Sequence, residues 1–201
     1  WAFCLWDRKL SRALLGRDRF GKKPLFYSQI GRGLQFGSDM KAIFPFLDIV
    51  RFVEDIDSLF INMFDYEHTE KCVVEGIKRV PPGHVVIWYN QKITVKRWWN
   101  TLDHLVDVPK KYSDQVEQWR ELFLDSVRLR LRSDVPLGTA LSGGLDSSAI
   151  AASIHHIGSH SNQSRQQRRI HSAFCAHYPG SSLDEFDWAK RLADQINVPI
   201  E

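Results

Sequence analysis

Cysteine is scarce in this chain of 201 residues, and the three present, Cys4, Cys72 and Cys175, are widely spaced and odd in number. This usage excludes a disulfide-rich scaffold and a zinc site built on paired cysteines, so we expect three reduced thiols. No stretch approaches the ~20 consecutive apolar residues of a membrane-spanning helix, and the first residues lack the basic-then-apolar pattern of a signal peptide. We therefore expect a cytoplasmic protein with no membrane partner.

A strong excess of one charge is also missing. The chain has 27 basic and 24 acidic residues and a net charge of +3, which is too small to require nucleic acid or an anionic membrane as a partner. With 43% hydrophobic and 25% charged residues, the composition is that of a globular chain, long enough for one domain or two small ones. Disordered and fibrous proteins are excluded.

The first hundred residues indicate a β-rich region of short strands. The strand candidates are residues 1–6, 13–16, 25–27, 34–36, 84–89 and 92–98. Glycines at 31 and 33 predict a hairpin turn between the third and fourth of these runs, and Asn90-Gln91 predicts another between the last two. Cys4 lies inside the first run, where we expect a small core residue.

The composition of the sequence changes after residue 100. Residues 101–112 are polar, prolyl and charged, which is typical of a linker. Asp114 and Glu117 then resemble a capping box, and apolar residues recur at helical spacing behind them. An amphipathic helix is therefore predicted over residues 114–131.

Strands and helices alternate in the last third of the chain. Strands are expected at 137–141 and 170–177, and helices at 149–154 and 184–197. The polar stretch 158–169 is interpreted as a surface loop, with Gly158 interrupting the helix before it. The resulting β-α-β-α order predicts a parallel sheet with helices packed on it.

Residues 142–148 read Ser-Gly-Gly-Leu-Asp-Ser-Ser and lie between a predicted strand and a predicted helix. The two glycines let the backbone approach a ligand closely, and the hydroxyl and backbone N–H groups can converge on one anion. A carboxylate at Asp146 opposes a bare phosphate but fits a Mg²⁺ ion that bridges phosphate oxygens. The motif predicts a phosphate site, although a tight strand-to-helix turn can be rich in Gly and Ser for structural reasons alone.

The motif lacks the Lys of a P-loop. It resembles instead the pyrophosphate-binding loop of the ATP pyrophosphatase superfamily, whose members adenylate a substrate and release pyrophosphate. Leu141 before it and the doubled serine at its end are similar to the asparagine synthetase branch. The other segments that resemble the glutamine-hydrolysing asparagine synthetases are residues 3–7, 16–21, 24–27, 36–42, 76–84, 133–138 and 183–185.

This resemblance implies a mixed α/β plus α+β fold. Residues 1–100 would form part of an N-terminal-nucleophile amidotransferase β-sandwich, 101–112 the linker, and 113–201 part of a parallel-sheet ATP pyrophosphatase-like domain. The family's glutaminase nucleophile is a Cys at the mature N-terminus, activated by its own α-amine, whereas residue 1 here is Trp. We therefore expect a fragment that contains no catalytic residue and is inactive alone.

The resemblance also assigns binding residues. Asp18, in an Arg-Asp-x-x-Gly motif, matches a glutamine-binding aspartate whose carboxylate can pair with the substrate's α-ammonium group. The structural alternative is an aspartate that forms a turn or a salt bridge beside Arg17 and Arg19. The residues that match ATP- and pyrophosphate-binding positions are Ala140, Leu141, Ser142, Gly143, Gly144, Leu145, Asp146, Ser147, Ser148, Cys175 and Ala176, with Asp146 also holding Mg²⁺.

The implied reaction is that of a glutamine-hydrolysing asparagine synthase. Ammonia from L-glutamine would amidate L-aspartate through β-aspartyl-AMP, with ATP and Mg²⁺ as cofactors and AMP and pyrophosphate as products. The resemblance also allows a homodimer of the full-length parent. Two alternatives stay open: a related amidotransferase or β-lactam synthetase-like enzyme that activates another carboxylate, and a non-catalytic nucleotide-binding piece.

Overall fold

The two halves of the chain have separate sheets and separate cores. A computed structural model describes residues 1–57, 66–159 and 170–201. The chain divides into unit 1, Trp1–Val106, and unit 2, Asp107–Glu201. No helix in the described ranges is long and apolar enough to cross a membrane.

Unit 1 is built mainly from antiparallel strands. They are β1 (Ala2–Asp7), β2 (Arg12–Arg17), β3 (Phe26–Ile30), β4 (Gly33–Gly37), β5 (Lys78–Arg79), β6 (His84–Tyr89) and β7 (Lys92–Arg97). One sheet has the strand order β1-β2-β6-β7, and a second has the order β4-β3-β5. Short 3-10 helices span Met40–Ala42, Phe44–Phe46 and Thr101–His104.

Both predicted hairpins are confirmed. β3 pairs with β4 across the turn that contains Gly31, and β6 pairs with β7 across Asn90 and Gln91. Asn90 and Gln91 both have a positive φ, at 48° and 60°. Two successive residues of this kind give the tight turn whose twist matches that of the flanking strands.

The core of unit 1 lies between its two sheets. Leu15 and Val86 from one sheet pack with Tyr27 from the other, and all three are buried. Phe26, the neighbour of Tyr27 along β3, packs in a separate cluster with Ile43. Since adjacent residues of a strand point to opposite faces, the second sheet is buried on both faces.

The prediction that Cys4 is a core residue is wrong, because its side chain is exposed. Cys4 lies opposite Leu15 in the β1–β2 register and therefore shares a face with it, yet Leu15 is fully buried. β1 is the edge strand of its sheet. An edge strand has a neighbouring strand on one side only, which leaves Cys4 more exposed than Leu15 in the central strand β2.

Unit 2 alternates helices with parallel strands. Its elements are α1 (Tyr112–Arg130), β8 (Leu137–Ala140), α2 (Leu145–Ser159), β9 (Ile170–Phe174) and α3 (Phe186–Gln195). β8 and β9 pair in parallel, and Ala173 of β9 also forms a parallel bridge to Ile200. The predicted parallel sheet is confirmed.

Small residues dominate the core of unit 2. Ala151 of α2, Ala173 of β9 and Ala189 and Ala193 of α3 are fully buried together. They let helix and strand backbones approach closely, and larger side chains such as Ile154 fill the remaining space. Ile196, directly after α3, belongs to the same core.

Several element boundaries differ from those expected. α1 begins at Tyr112, and its N-cap, Lys111, makes no side-chain capping bond, so the predicted capping box at Asp114 is wrong. Asp114 lies in the first turn instead, where its negative charge interacts favourably with the positive end of the helix dipole. Gly158 lies inside α2 and does not interrupt it, and β9 ends at Phe174. The part of the predicted loop at 160–169 lies outside the described residues.

Candidate functional site

The carboxyl ends of β8 and β9 lie side by side because the two strands run in parallel. Leu141 N donates a hydrogen bond of 2.9 Å to the carbonyl oxygen of Phe174, directly behind the strand ends. Leu141 is fully buried, whereas Ala140 and Ala176 are exposed. The structure thus brings the residues predicted for nucleotide contact, Ala140 and Leu141 on one side and Cys175 and Ala176 on the other, to one edge of the sheet.

The glycine-rich motif is divided between a turn and a helix. Helix α2 begins at Leu145, so the predicted helix start at residue 149 is wrong. Ser142, Gly143 and Gly144 form the turn, and the other four residues of the motif form the first helical turn. Because the first N–H groups of a helix have no intrahelical acceptor, they give the motif a cluster of donors at the positive end of the helix dipole.

The hydroxyl groups of the motif are bonded to one another and to its backbone. Ser142 Oγ lies 3.1 Å from Ser147 Oγ and accepts a bond of 3.3 Å from Gly144 N. Ser147 Oγ donates to the carbonyl oxygen of Gly144 at 3.2 Å, and Ser148 N donates to the same oxygen at 3.0 Å. These contacts hold two serine hydroxyls beside the N-terminus of α2, where both can turn to an anion's oxygens.

Gly143 is required at its position for two reasons. Its φ is +80°, a conformation that L side chains rarely adopt. An added Cβ would also lie 2.6 Å from Trp188 Cβ and 2.8 Å from Ala189 N. The turn is therefore pressed against α3, a contact for which the sequence gives no local signal.

Asp146 is exposed in the first turn of α2. The carboxylate has no hydrogen-bond or ion-pair partner among the described residues. The same residues contain no group of three or more His, Cys, Asp and Glu side chains that could hold a metal ion. Mg²⁺ commonly binds through one or two carboxylates together with substrate phosphates and water. A single unpaired carboxylate beside open N–H donors fits that mode of binding.

In unit 1, the carboxylate of Asp18 is surrounded by donors. Oδ1 accepts from Phe20 N at 3.1 Å and Lys22 N at 3.0 Å, and Oδ2 accepts from Lys23 N at 3.1 Å. The α-ammonium group of Trp1 lies 3.1 Å from Oδ2. Burial alone would raise the pKa of Asp18, but the three N–H groups and the ammonium group outweigh it and lower the pKa to about 2.

Arg17 satisfies the other polar groups of the same loop. Its buried guanidinium donates to the carbonyl oxygens of Lys23 at 2.8 Å, Val80 at 2.8 Å and Gly21 at 2.6 Å. The loop of residues 18–23 thus has its N–H groups held by Asp18 and two of its carbonyl groups held by Arg17. Asp18 forms a turn, as in the structural alternative, while its role toward glutamine stays a prediction.

Comparison with known proteins divides the chain close to the boundary between unit 1 and unit 2. A family described as glutamine amidotransferase domain matches residues 1–99, and a family described as asparagine synthase matches residues 118–201. The chain thus joins a part that matches an amidotransferase domain to a part that matches an asparagine synthase domain.

Similar curated proteins narrow the class of protein to which the chain belongs. A glutamine-hydrolysing asparagine synthetase of Bacillus subtilis, number 3, is 38% identical over 75% of this chain and 24% of its own length. A putative glutamine-hydrolysing asparagine synthetase of Methanocaldococcus jannaschii is 30% identical over 75% of this chain and 30% of its own. The amidase chry2 of Gibberella zeae is 29% identical over 99% of this chain and 30% of its own.

The chain belongs to the family of the glutamine-hydrolysing asparagine synthetases. The expected resemblance is thereby confirmed. The chain spans only 24% to 30% of the length of these relatives.

Proposed function

We propose that unit 2 binds Mg²⁺-ATP and that residues 142–148 hold the pyrophosphate part of the nucleotide. The observation that carries this proposal is the first turn of α2, where open N–H donors, two serine hydroxyls and an unpaired carboxylate face the same edge of a parallel sheet. Ligands of open α/β sheets bind at this edge. Family membership supports the same assignment.

The residues of the motif have distinct roles in this proposal. The N–H groups of Leu145 and Asp146 and the hydroxyls of Ser142 and Ser147 donate to the β- and γ-phosphate oxygens. Asp146 holds the Mg²⁺ ion, which neutralises phosphate charge when bound. Ala140 and Leu141, together with Cys175 and Ala176, line the nucleoside side of the edge.

The chemistry that follows from such a site is adenylation. A carboxylate oxygen of the acceptor forms a bond to the α-phosphorus, the bond between that phosphorus and the bridging oxygen breaks, and pyrophosphate leaves. Ammonia then attacks the acyl carbon and AMP leaves. Donors already aimed at the pyrophosphate stabilise the charge that develops on it, which lowers the barrier of the first step.

We propose that glutamine supplies the ammonia and that its α-ammonium group binds at Asp18. The match of residues 1–99 to the amidotransferase family and the buried position of the Asp18 carboxylate support this assignment. The low pKa of Asp18 keeps the carboxylate charged at neutral pH. We assign no catalytic residue to this chain.

L-Aspartate is the proposed acceptor, because relatives named asparagine synthetase reach 38% identity. A second candidate is an amidotransferase that acts on another carboxylate, since amidases match 99% of this chain. The non-catalytic alternative differs from both because it forms no adenylate. A cytoplasmic location, a homodimer of the longer protein and the absence of a nucleic-acid partner complete the proposal.

Calorimetric titration of this chain with ATP, with and without Mg²⁺, tests the nucleotide site. Asp146→Asn is expected to weaken binding roughly tenfold or more in Mg²⁺ and to change it little without Mg²⁺. Asp187→Asn is the matched control, because Asp187 is also an exposed aspartate in the first turn of a helix, α3. Equal loss in both variants, or none in Asp146→Asn, would contradict the assignment.

Exchange of labelled pyrophosphate into ATP by the longer protein tests the acceptor. Exchange that requires L-aspartate supports the synthetase function. Exchange that requires another carboxylate supports the second candidate, and no exchange with any carboxylate supports the non-catalytic alternative.

A further inference from the structure

Trp99 lies where the loop of residues 18–23 meets the end of the first sheet. Arg19 Cζ, in that loop, is 4.1 Å from the centroid of a Trp99 ring. The ring of His104 stacks on Trp99 at a centroid distance of 3.9 Å and an interplanar angle of 6°. One side chain thus joins the loop to the 3-10 helix Thr101–His104, which follows β7 and precedes unit 2.

Backbone hydrogen bonds connect the same two segments through a single glycine. Gly83 N donates to the carbonyl oxygen of Asp18 at 2.9 Å, and Gly83 O accepts from Trp98 N at 2.8 Å and Trp99 N at 3.2 Å. Gly83 has a φ of +68°, and an added Cβ would lie 2.9 Å from Trp99 O. The loop, the turn at Gly83 and the Trp98-Trp99 pair therefore form one bonded set.

Further side chains hold residues 97–104 in shape. Trp98 Nε1 donates to Arg17 O at 3.2 Å, and Arg97 Nε donates to Trp99 O at 3.0 Å. Trp99 Nε1 donates to Thr101 Oγ1 at 3.1 Å. These bonds fix the indole of Trp99 in the position from which it contacts Arg19.

The inner and outer sides of the loop are held by different means. Arg17 and Asp18 bind its backbone from the inside, but Arg19 and Phe20 are exposed on the outside. On this outer side, the guanidinium of Arg19 packs on the ring of Trp99. A guanidinium over an indole is a favourable contact even at an exposed site.

We propose that Trp99 is a positioning residue that holds the loop of residues 18–23 in place and ties it to the segment leading to unit 2. The proposal rests on the proposed function only in that glutamine would bind at this loop. If so, the order of the glutamine site depends on the 3-10 helix Thr101–His104 near the end of unit 1, because the loop and this helix both contact the same indole.

Hydrogen exchange measured residue by residue on the whole chain tests the structural part. Trp99→Leu is expected to raise the exchange rates of the Phe20, Lys22 and Lys23 amides roughly fivefold relative to the amides of Leu15 and Val86 in the central strands. Trp88→Leu is the control, since Trp88, in β6 of the same unit, is a partly buried indole like Trp99. Trp99→Phe, which keeps an aromatic ring, should give an intermediate rate.

Two results would overturn the proposal. Exchange at the loop could stay unchanged in Trp99→Leu, or it could rise only in proportion to exchange in the central strands, as general destabilisation would require. Either result would mean that Trp99 contributes to the general stability of unit 1 and does not position the loop.

A kinetic measurement on the longer protein separates this proposal from the assignment of glutamine to Asp18. Trp99→Leu is expected to raise KM for glutamine roughly threefold or more while the kcat with free ammonia stays unchanged. Faster loop exchange with an unchanged KM would remove glutamine from this loop and would still establish Trp99 as the residue that positions it. Equal loss of both activities would contradict the positioning role.

Discussion

At the loop of residues 18–23, the side chains of Asp18 and of the preceding Arg17 are hydrogen-bonded to the protein's own backbone. In residues 142–148, by contrast, the carboxylate of Asp146 has no partner among the described residues. Arg17 and Asp18 are buried, and Asp146 is exposed. Both loops resemble motifs of the family. A motif in which the polar groups are already satisfied stabilises the fold first, while one that presents unsatisfied donors has capacity left for a ligand.

The largest expected effect is that of Gly143→Ala. The variant combines an unfavourable positive φ with a clash against the backbone of α3, and we expect it to destabilise unit 2 by about 3 kcal/mol and to abolish ATP binding. Gly180→Ala is a matched control, because Gly180 has a φ of +79° but nothing within 4 Å of its Cβ position. Urea unfolding followed by NMR signals of unit 2 measures both. Equal destabilisation would show that packing against Trp188 is unimportant.

Arg17→Met tests the other loop. The variant leaves three carbonyl oxygens without a donor, and we expect a loss of about 3 kcal/mol in the stability of unit 1, with no direct effect on ATP binding. Arg12→Met, which removes a partly exposed ion pair with Asp7, should cost under about 0.5 kcal/mol. Similar unfolding curves for the two variants would contradict the structural role of Arg17.

Asp18→Asn is expected to destabilise unit 1 by about 2 kcal/mol at neutral pH, because an amide offers N–H groups where three backbone N–H groups need acceptors. The pKa of Asp18 is about 2 in the folded chain, below the usual 3.8, so its charged form stabilises the fold above pH 4. That contribution is lost as the pH falls from about 4 to about 2. The difference between variant and wild type, measured by urea unfolding, should therefore shrink over this range. A difference in unfolding free energy that stays constant over this pH range would contradict the stabilising role of the charged carboxylate.

The smallest effect on stability is expected for Asp146→Asn. Since the carboxylate is exposed and has no partner among the residues that the structure describes, its loss should change the free energy of unfolding by less than about 0.5 kcal/mol. Thermal unfolding without ligand checks this value. A loss of 2 kcal/mol would mean that Asp146, like Asp18, serves the fold.

Local signals were sufficient for much of this architecture. Turn residues such as Asn90 and Gln91 predict the hairpin that they form, and alternating strand and helix patterns predict the parallel pairing of β8 with β9. The sequence does not predict the exposure of Cys4 because that exposure follows from the position of β1 at the edge of its sheet, which long-range strand pairing decides. The start of α2 was misjudged because serine and aspartate suit a loop as well as a first helical turn.

The sequence predicts where the two candidate sites lie along the chain, but it does not predict the contacts that their residues make. The motif at residues 142–148 predicts an anion site, yet the need for glycine at Gly143 comes in part from its contact with Trp188 and Ala189 of α3, which follow a second strand. The sequence likewise places Asp18 in a motif that resembles one of the family, without showing that the loop turns its own N–H groups toward the carboxylate. Contacts between distant parts of the chain decide both cases.

Residue-resolved hydrogen exchange of the whole chain, with and without Mg²⁺ and pyrophosphate, compares the two loops in one measurement. We expect the amides of Gly143 to Ser147 to become protected when the ligand is added, while those of Phe20, Lys22 and Lys23 exchange as before. Protection of neither loop, or equal protection of both, would contradict the conclusion that only the loop of unit 2 presents open donors to a phosphate ligand.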